Sequence, residues 1–369
     1  MNFWLITRYS FTEIWRNKTF RVAFMVLIPL LIAYQVSFQS DMFNIPVEYT
    51  LVLSSFIPTQ NAYMFNLLLV FPLATMGFWV HKQKKYNTLE ALLVHPQGND
   101  TYSTGFILGI IIAFMIMGSI SLALAGLINL FASPTSFQPL IYLFYLVTLF
   151  LPTIVFVVGI TSFLAARCFK NGTVTTFFML VYLSVDILFL STLYHGLFDP
   201  LGILLPYTFS GFTGMADLPG FLLHRTTFLL LGIGFITLAI SGLPRIPNKI
   251  NGRQRAVCSG ILLLFVGLLA GFITYNHHEQ VERRHALYES VYEKHDSPNK
   301  MNIITHDIRF TYQEKQAHVE SRISLHNPTG TNLSKIILYL NPSLEVTSIQ
   351  ENLSPVPFTR EAQAIVISR

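Results

Sequence analysis

The chain has 369 residues, of which 52% are apolar and only 12% are charged, and its mean hydropathy is +0.51. This composition is too apolar for an ordinary soluble domain and excludes a purely soluble enzyme. The net charge of +5 does not indicate nucleic-acid binding, because the basic excess lies in the apolar part. Residues 1–275 carry 14 Lys+Arg against 8 Asp+Glu, whereas residues 276–369 carry 10 against 11.

The first predicted element is a short helix within residues 1–21. Apolar residues recur there at roughly helical spacing, and basic residues lie between them. This pattern predicts an amphipathic helix in the cytoplasmic membrane interface, and a simple basic flank of the first span is the alternative. The apolar positions are Trp4, Phe11, Ile14 and Trp15, and the basic positions are Arg8, Arg16 and Lys18.

Seven apolar runs follow that are long enough to cross a bilayer as helices. They predict an α-helical polytopic membrane protein with about seven transmembrane helices. Six of these helices form a domain over residues 22–245, and the seventh covers residues 257–275. The runs lie at about 22–38, 62–80, 104–131, 140–165, 174–194, 226–243 and 257–275.

The distribution of basic residues predicts how the chain is oriented in the membrane. The segments on one predicted side carry thirteen Lys and Arg residues, whereas the alternate loops carry only Arg225. Basic residues are enriched on the cytoplasmic side of membrane proteins, so the N-terminus is expected to be cytoplasmic. An odd number of spans then places the chain from about residue 276 on the other side.

The segment at residues 84–96, after the second run, predicts a short amphipathic helix at the cytoplasmic face. It reads Lys-Lys-Tyr-Asn-Thr-Leu-Glu-Ala-Leu-Leu-Val-His-Pro. Thr88 can cap the helix, three leucines form one apolar ridge, and Pro96 ends it. Such a helix can dock in a soluble partner, and an ordinary amphipathic loop is the alternative.

In this segment the chain resembles permease subunits of ABC-2-type ATP-binding-cassette exporters, which carry Gly-Thr-Leu-Glu, a Leu-Leu pair and a Pro in the same loop. The resemblance extends to the layout of residues 1–245. Asn87 stands where the family has Gly, and the lead at residues 82–84 is basic where the family is rich in acidic residues. The family loop contacts the ATPase, which implies an ATPase-coupling role for Thr88, Leu89, Glu90, Leu92, Leu93 and Pro96.

The resemblance also implies the partners. The chain contains no Gly-x-x-x-x-Gly-Lys-[Ser/Thr] motif, so ATP hydrolysis is expected in a separate ABC ATPase subunit that binds ATP and Mg. This chain is expected to have no enzyme activity, cofactor or nucleic-acid partner of its own. We expect a homodimer or heterodimer of permeases in a bacterial inner (cytoplasmic) membrane.

Asp186 is the charged residue that lies deep within a predicted span. A carboxylate at membrane depth is costly unless it faces the bundle interior, a cavity or a partner. We therefore predict that Asp186 lies on a translocation path or at a helix interface. A protonated or hydrogen-bonded packing residue is the alternative.

The C-terminal segment is predicted to form a polar helical stalk over residues 276–300 and a small extracytoplasmic antiparallel β domain over residues 301–369. From Met301 onwards apolar residues recur every second position, with a turn signal at residues 327–330. Strands are expected at about 304–312, 319–325, 335–340, 344–349 and 364–368.

The strand pattern at residues 318–327 and 333–342 is similar to the opening of the N-terminal β domain of aminopeptidase-N-type zinc peptidases. Zinc peptidase chemistry needs His-Glu-x-x-His, whereas His278-Glu279-Gln280-Val281-Glu282 has Glu at the second histidine position. No catalytic residue and no metal ligand is therefore predicted. The final strand shows no partner in the sequence, so we expect a truncated or split version of a longer permease and peptidase-like fusion.

Two functions are compatible with these patterns. The leading one is a membrane-spanning permease subunit of an ATP-driven exporter. The alternative is a membrane-anchored extracytoplasmic peptidase-like accessory or binding module without its own catalytic site, in which the spans serve only to display the C-terminal segment. The coupling segment favours the first, because an anchor does not need it.

Overall fold

We analysed a computed structural model of the chain. It describes residues 3–41, 55–74, 99–133, 135–169, 171–203, 209–210, 214–215, 217–241, 250–296, 301–313, 316–328, 330 and 333–368. The chain divides into two compact units, at residues 1–277 and 278–369. The first unit is a helix bundle, and the second combines the end of the last helix with short antiparallel sheets.

The long helices of the described residues are α1 (Phe3–Arg16), α2 (Lys18–Asp41), α3 (Phe56–Ala74), α4 (Asn99–Ala132), α5 (Pro139–Cys168), α6 (Gly172–Leu190), α7 (Leu218–Ser241) and α8 (Ile250–His295). Six of them, all except α1 and α3, are long and apolar enough to cross a membrane. The chain is thus largely helical and has the character of a multi-pass membrane protein.

The described part of the second predicted run lies in α3, which is not among these six helices and carries Gln60, Asn61 and Asn66. Two of these polar side chains bond inside the bundle. The Asn61 amide donates to Ser121 Oγ at 2.9 Å, and the Asn66 amide donates to the Leu201 carbonyl at 2.9 Å. Since α3 also buries Phe65 and Leu69 completely, it belongs to the core of the bundle. The count of seven spans stays a prediction.

The helix predicted before the first span is present as α1, and it packs against the start of α4. Its buried face contains Ile6 and Ser10, and Ser10 Oγ donates to the Phe106 carbonyl at 2.8 Å. Of the predicted apolar positions, Ile14 is buried, whereas Trp4 is 70% exposed. The side chains that contact α4 include small polar ones, which hydropathy alone does not identify as buried.

Close contact between α5 and α7 depends on two glycines. A Cβ atom on Gly159 would lie 2.4 Å from the Gly232 carbonyl oxygen, and one on Gly232 would lie 2.7 Å from backbone atoms of Phe156. Small residues let helix backbones approach in this way inside membranes. The close approach brings residues of α7 within hydrogen-bond distance of the α5 backbone.

The start of α7 differs from the sequence prediction. The apolar run begins near Thr226, but the helix begins at Leu218, where Asp217 Oδ1 accepts a hydrogen bond from the Gly220 amide at 3.1 Å. An aspartate before the first helical turn stabilises the unpaired amides there. Arg225, which the prediction assigned to a loop, therefore lies inside a membrane-length helix.

The bundle unit holds the strand pair β1 (Phe209–Ser210) and β2 (Gly214–Met215), and the antiparallel strands of the second unit are β3 (Asn302–Gln313), β4 (Gln316–His326), β5 (Lys335–Tyr339), β6 (Gln350–Glu351), β7 (Ser354–Pro355), β8 (Phe358–Glu361) and β9 (Ala364–Ser368). Strands β3 and β4 form a two-stranded hairpin, a three-stranded sheet has the order β5-β9-β8, and β6 and β7 form a short pair. Ile336, Ile365 and Ile367 form the apolar core of this second unit.

Two predictions for this unit are wrong. Residues 344–349 form no strand, and the final strand is not an unpaired edge, because β9 lies between β5 and β8. The pairing partner β8 was missed because Phe358–Glu361 is short and carries two charged residues. Truncation of a longer fusion stays a prediction.

The glycine contact between α5 and α7 gives the first prediction. Gly232→Ala places a methyl group against the Phe156 backbone. Backbone atoms cannot relieve the overlap by a change of side-chain rotamer. We expect a loss of about 1–3 kcal/mol in stability, typical of overpacking. The readout is a lower thermal unfolding midpoint of the purified protein in detergent. Gly271→Ala is the control, because the nearest atom to its Cβ is a side-chain methyl of Thr227 at 3.3 Å. Equal midpoints for the two variants would contradict the packing.

A second prediction concerns Glu361, whose carboxylate accepts hydrogen bonds from Lys294 Nζ at 2.7 Å and His295 Nε2 at 3.0 Å. These bonds, chiefly that from Lys294, lower the pKa of Glu361. The stabilisation is therefore present above the ordinary glutamate pKa and is lost as the pH falls through the lowered value. Hydrogen exchange of the β8 amides, corrected for intrinsic rates, should accelerate in acid.

The matched variants for this measurement are Glu361→Gln and Glu345→Gln. The first removes the paired charge and should show the faster exchange already at neutral pH, with a smaller acid response. The second removes an exposed carboxylate of the same unit and should behave as the wild type. An identical pH response in wild type and Glu361→Gln would disprove the role of the carboxylate.

Candidate functional site

The predicted coupling residues lie in a part of the chain outside the described residues. These are Thr88, Leu89, Glu90, Leu92, Leu93 and Pro96. Their role stays a prediction, and the site that the structure describes is a group of buried polar side chains in the helix bundle.

Asp186, the other predicted site residue, lies at the start of a π-helical turn, Asp186–Leu190, that ends α6. The Ser191 amide donates to the Asp186 carbonyl at 2.9 Å and closes this wider turn. The side chain is 0% exposed, and neither carboxylate oxygen has a hydrogen-bond partner within the described residues. Isolated π-helical turns in α-helices are frequent at functional sites.

A second π-helical turn, Leu146–Phe150, lies in α5 and is followed by Pro152. Proline has no amide hydrogen, so the carbonyl of the residue four positions earlier loses its usual helical donor. In α5 that residue is Thr148. An unpaired carbonyl in the interior of a membrane bundle is costly, which creates the need for another donor at this point.

Arg225 of α7 supplies that donor. Its Nε donates to the Thr148 carbonyl at 3.0 Å, and its terminal nitrogens donate to the carbonyls of Leu149 at 3.0 Å and Pro200 at 3.2 Å. The side chain is 1% exposed, although it carries a permanent positive charge. The planar guanidinium presents several N–H groups in a fixed geometry, so one residue can join two helices and a loop.

Asp199 organises the loop after α6. Its side-chain oxygens accept hydrogen bonds from the amides of Leu201 and Gly202, each at 2.9 Å, and from the amide of Ile203. Gly202 adopts a φ of +74°, and a Cβ there would lie 3.0 Å from a terminal nitrogen of Arg225. This turn thus requires glycine both for its backbone conformation and for the close approach of Arg225.

Asn66 and Thr153 complete the connection between helices. Thr153 Oγ1 accepts hydrogen bonds from Arg225 at 2.6 Å and from the Asn66 amide at 3.3 Å. We call Asn66, Thr153, Asp199 and Arg225 the buried polar cluster. It links α3, α5, α7 and the loop after α6 through side chains that are all buried.

The charges at this site do not balance. Arg225 and Asp199 attract each other electrostatically, whereas Asp186 and Asp199 repel each other. Within the described residues, only these three of the Asp, Glu, Lys and Arg side chains are buried. The interior therefore holds one formal positive and two formal negative charges.

Asp186 is recognisable in the sequence as a charge within an apolar run, whereas Asp199 and Arg225 fall outside the apolar runs and were not predicted as site residues. The sequence nevertheless contains patterns that indicate a turn at Asp199 and a helix around Arg225. Asp199-Pro200-Leu201-Gly202 is a typical turn sequence, and Arg225 lies between two apolar stretches within reach of a helix start at Asp217. The partners of these residues come from distant parts of the chain, so their convergence is visible only in the fold.

The part of the chain that the structure describes contains no group of three or more His, Cys, Asp or Glu side chains that could hold a metal ion. His277 instead lies with its Nε2 atom 3.0 Å from Asp217 Oδ2. This contact joins α7 and α8.

Comparison with known proteins adds no family assignment: no family model matches this chain, and no curated protein matches it. The resemblances to ABC-2-type permeases and to the aminopeptidase β domain therefore rest on the residues quoted above.

Arg225 gives the third prediction. Arg225→Met leaves the carbonyls of Thr148, Leu149 and Pro200 without its donors and leaves Asp199 without its cation. A buried acceptor that loses its donor costs about 1–3 kcal/mol, and several acceptors are affected, so we expect a large fall in the thermal unfolding midpoint. Arg225→Lys retains the charge but not the planar arrangement of donors, and it should be intermediate.

The control for this comparison is Arg255→Met, which removes an exposed basic residue of α8. Its midpoint in detergent should match that of the wild type. If Arg225→Met and Arg255→Met have the same midpoint, the buried polar cluster does not stabilise the bundle.

Proposed function

We propose that the chain is the membrane-spanning permease subunit of an ATP-driven ABC exporter, energised by a separate ATPase. The observation that supports a transport role is that the buried polar cluster and Asp186 both lie inside a bundle of membrane-length helices. Charged side chains at membrane depth are costly, and they commonly belong to substrate or ion paths. Helices that only anchor another domain have no need of such charges.

The ATP-driven part of the proposal rests on the coupling segment in the sequence. Its capping threonine, leucine ridge and terminal proline suit a short helix that docks in a soluble partner. The partner would be an ABC ATPase, which binds ATP and Mg, and two permeases would assemble with two ATPases. The permeases would form a homodimer or a heterodimer.

The proposed location is a bacterial inner membrane, with the N-terminus in the cytoplasm and the C-terminal unit outside. The exposed face of α1 supports an interfacial position for this helix. It presents Trp4, Leu5 and Tyr9 next to Arg8, and all four side chains are exposed. Aromatic and basic side chains together are typical of helices that lie at the level of the lipid headgroups.

The alternative function is a membrane-anchored extracytoplasmic accessory or binding module. One observation favours it: the β3–β4 hairpin exposes Ile304, Ile308, Phe310 and Val319. Clustered exposed apolar residues commonly mark surfaces for protein interaction. On this alternative, the C-terminal unit is the functional part and no ATPase is bound.

The fourth prediction separates the two functions. We expect an ABC ATPase to be recovered with the epitope-tagged chain from gently solubilised native membranes. The double change Leu92→Asp and Leu93→Asp places two charges on the apolar ridge of the coupling segment and should abolish this recovery. Mass spectrometry of the captured proteins, normalised to the tagged chain, provides the measurement.

The control variant is Leu353→Asp, which makes the same chemical change at a fully solvent-exposed leucine of the second unit. It should leave ATPase recovery unchanged. Recovery of peptidases or other extracytoplasmic proteins in place of an ATPase would refute the exporter function and support the accessory module.

A further inference from the structure

We propose that Asp186 is a binding site for a single positive charge, supplied by a ligand that enters the helix bundle. The inference rests on the charge balance and hydrogen bonding of the described residues. It does not depend on the ATP-driven function, because a cation site in the bundle would exist whether or not an ATPase is bound.

The two buried aspartates differ in how their carboxylates are stabilised. Asp199 accepts three backbone amide hydrogen bonds and interacts favourably with Arg225. Asp186 has neither kind of partner within the described residues, and the electrostatic effect of Asp199 on it is repulsive. A buried carboxylate without a counter-charge is strongly unfavourable, so Asp186 either holds a proton or binds a cation, and the negative charge of Asp199 favours the cation.

The unmet hydrogen bonding of the neighbourhood has the same sign. Both carboxylate oxygens of Asp186 are buried acceptors without a donor within the described residues. Two such acceptors suit a ligand that donates hydrogen bonds or carries positive charge, and an anion does not fit them.

The groups that interact with the Asp186 side chain define the site further. Asp199 comes from the loop after α6 and acts on Asp186 electrostatically, and Tyr182 lies one turn before Asp186 in α6. Because Arg225 balances Asp199, one monovalent charge neutralises the remainder. The ligand class is therefore a monovalent cation, either a metal ion such as sodium or the ammonium group of an apolar amine.

The experiment uses the full chain in lipid nanodiscs and follows two quantities. Infrared difference spectroscopy between the wild type and Asp186→Asn reports the carboxyl stretch of a protonated Asp186. Thermal unfolding midpoints are measured over a range of pH with sodium chloride, with potassium chloride or with dodecylamine. Asp307→Asn, which neutralises an exposed carboxylate of the second unit, is the control, and Asp186→Glu tests whether a carboxylate at this position restores the behaviour.

Two results support the site and identify the cation. A midpoint raised by sodium or potassium in the wild type but not in Asp186→Asn identifies a metal ion. The same selective rise with dodecylamine identifies an ammonium group.

The proposal is overturned if no cation raises the midpoint of the wild type more than that of Asp186→Asn. A protonated-carboxyl band that is lost in Asp186→Asn, without a response to any cation, then identifies Asp186 as a protonated packing residue. If Asp186→Asn cannot be purified, the comparison of wild type with Asp186→Glu remains, and a wild type without a cation response overturns the site. None of these measurements involves an ATPase, so their failure is distinguishable from failure of the exporter function.

Discussion

The hydrogen bonds from Arg225 to backbone carbonyls of α5 are the interaction on which the bundle interior depends. Pro152 deprives the Thr148 carbonyl of its helical donor, and hydrocarbon offers no water to replace it. Arg225 satisfies this carbonyl together with those of Leu149 and Pro200. A buried arginine is itself costly, but here its N–H groups bond to buried oxygens of α5 and of the loop after α6.

This arrangement is possible because α5 and α7 approach closely. Gly159 and Gly232 lie against each other's helix backbones, where no side chain larger than hydrogen fits. The approach places Arg225 beside the π-helical turn of α5, and Gly202 lets the loop after α6 pass close to the guanidinium. Small residues thus determine where the large charged residue can bond, and that contact in turn fixes the loop that holds Asp199.

The two units stabilise themselves by different means. The bundle relies on interhelical packing and buried polar bonds, because burial against lipid gives helices little hydrophobic preference for one another. The second unit has a small core around Ile336, Ile365 and Ile367. Its strand β9 is protected by pairing with β5 and β8, which gives its backbone the partners that an edge strand lacks.

The sequence by itself determined the membrane character, the helical bundle and the β region, because hydropathy and the two-residue alternation depend only on neighbouring residues. It also identified Asp186 as a costly charge within an apolar run. Tertiary structure alone decided that Arg225 lies in a helix, that Asp199 is paired with it electrostatically, and that Asp186 has no described partner. The physical reason is that a buried charge is stabilised by groups far away in the sequence, such as Thr148 and Pro200 for Arg225, and local patterns contain no information about which of them meet.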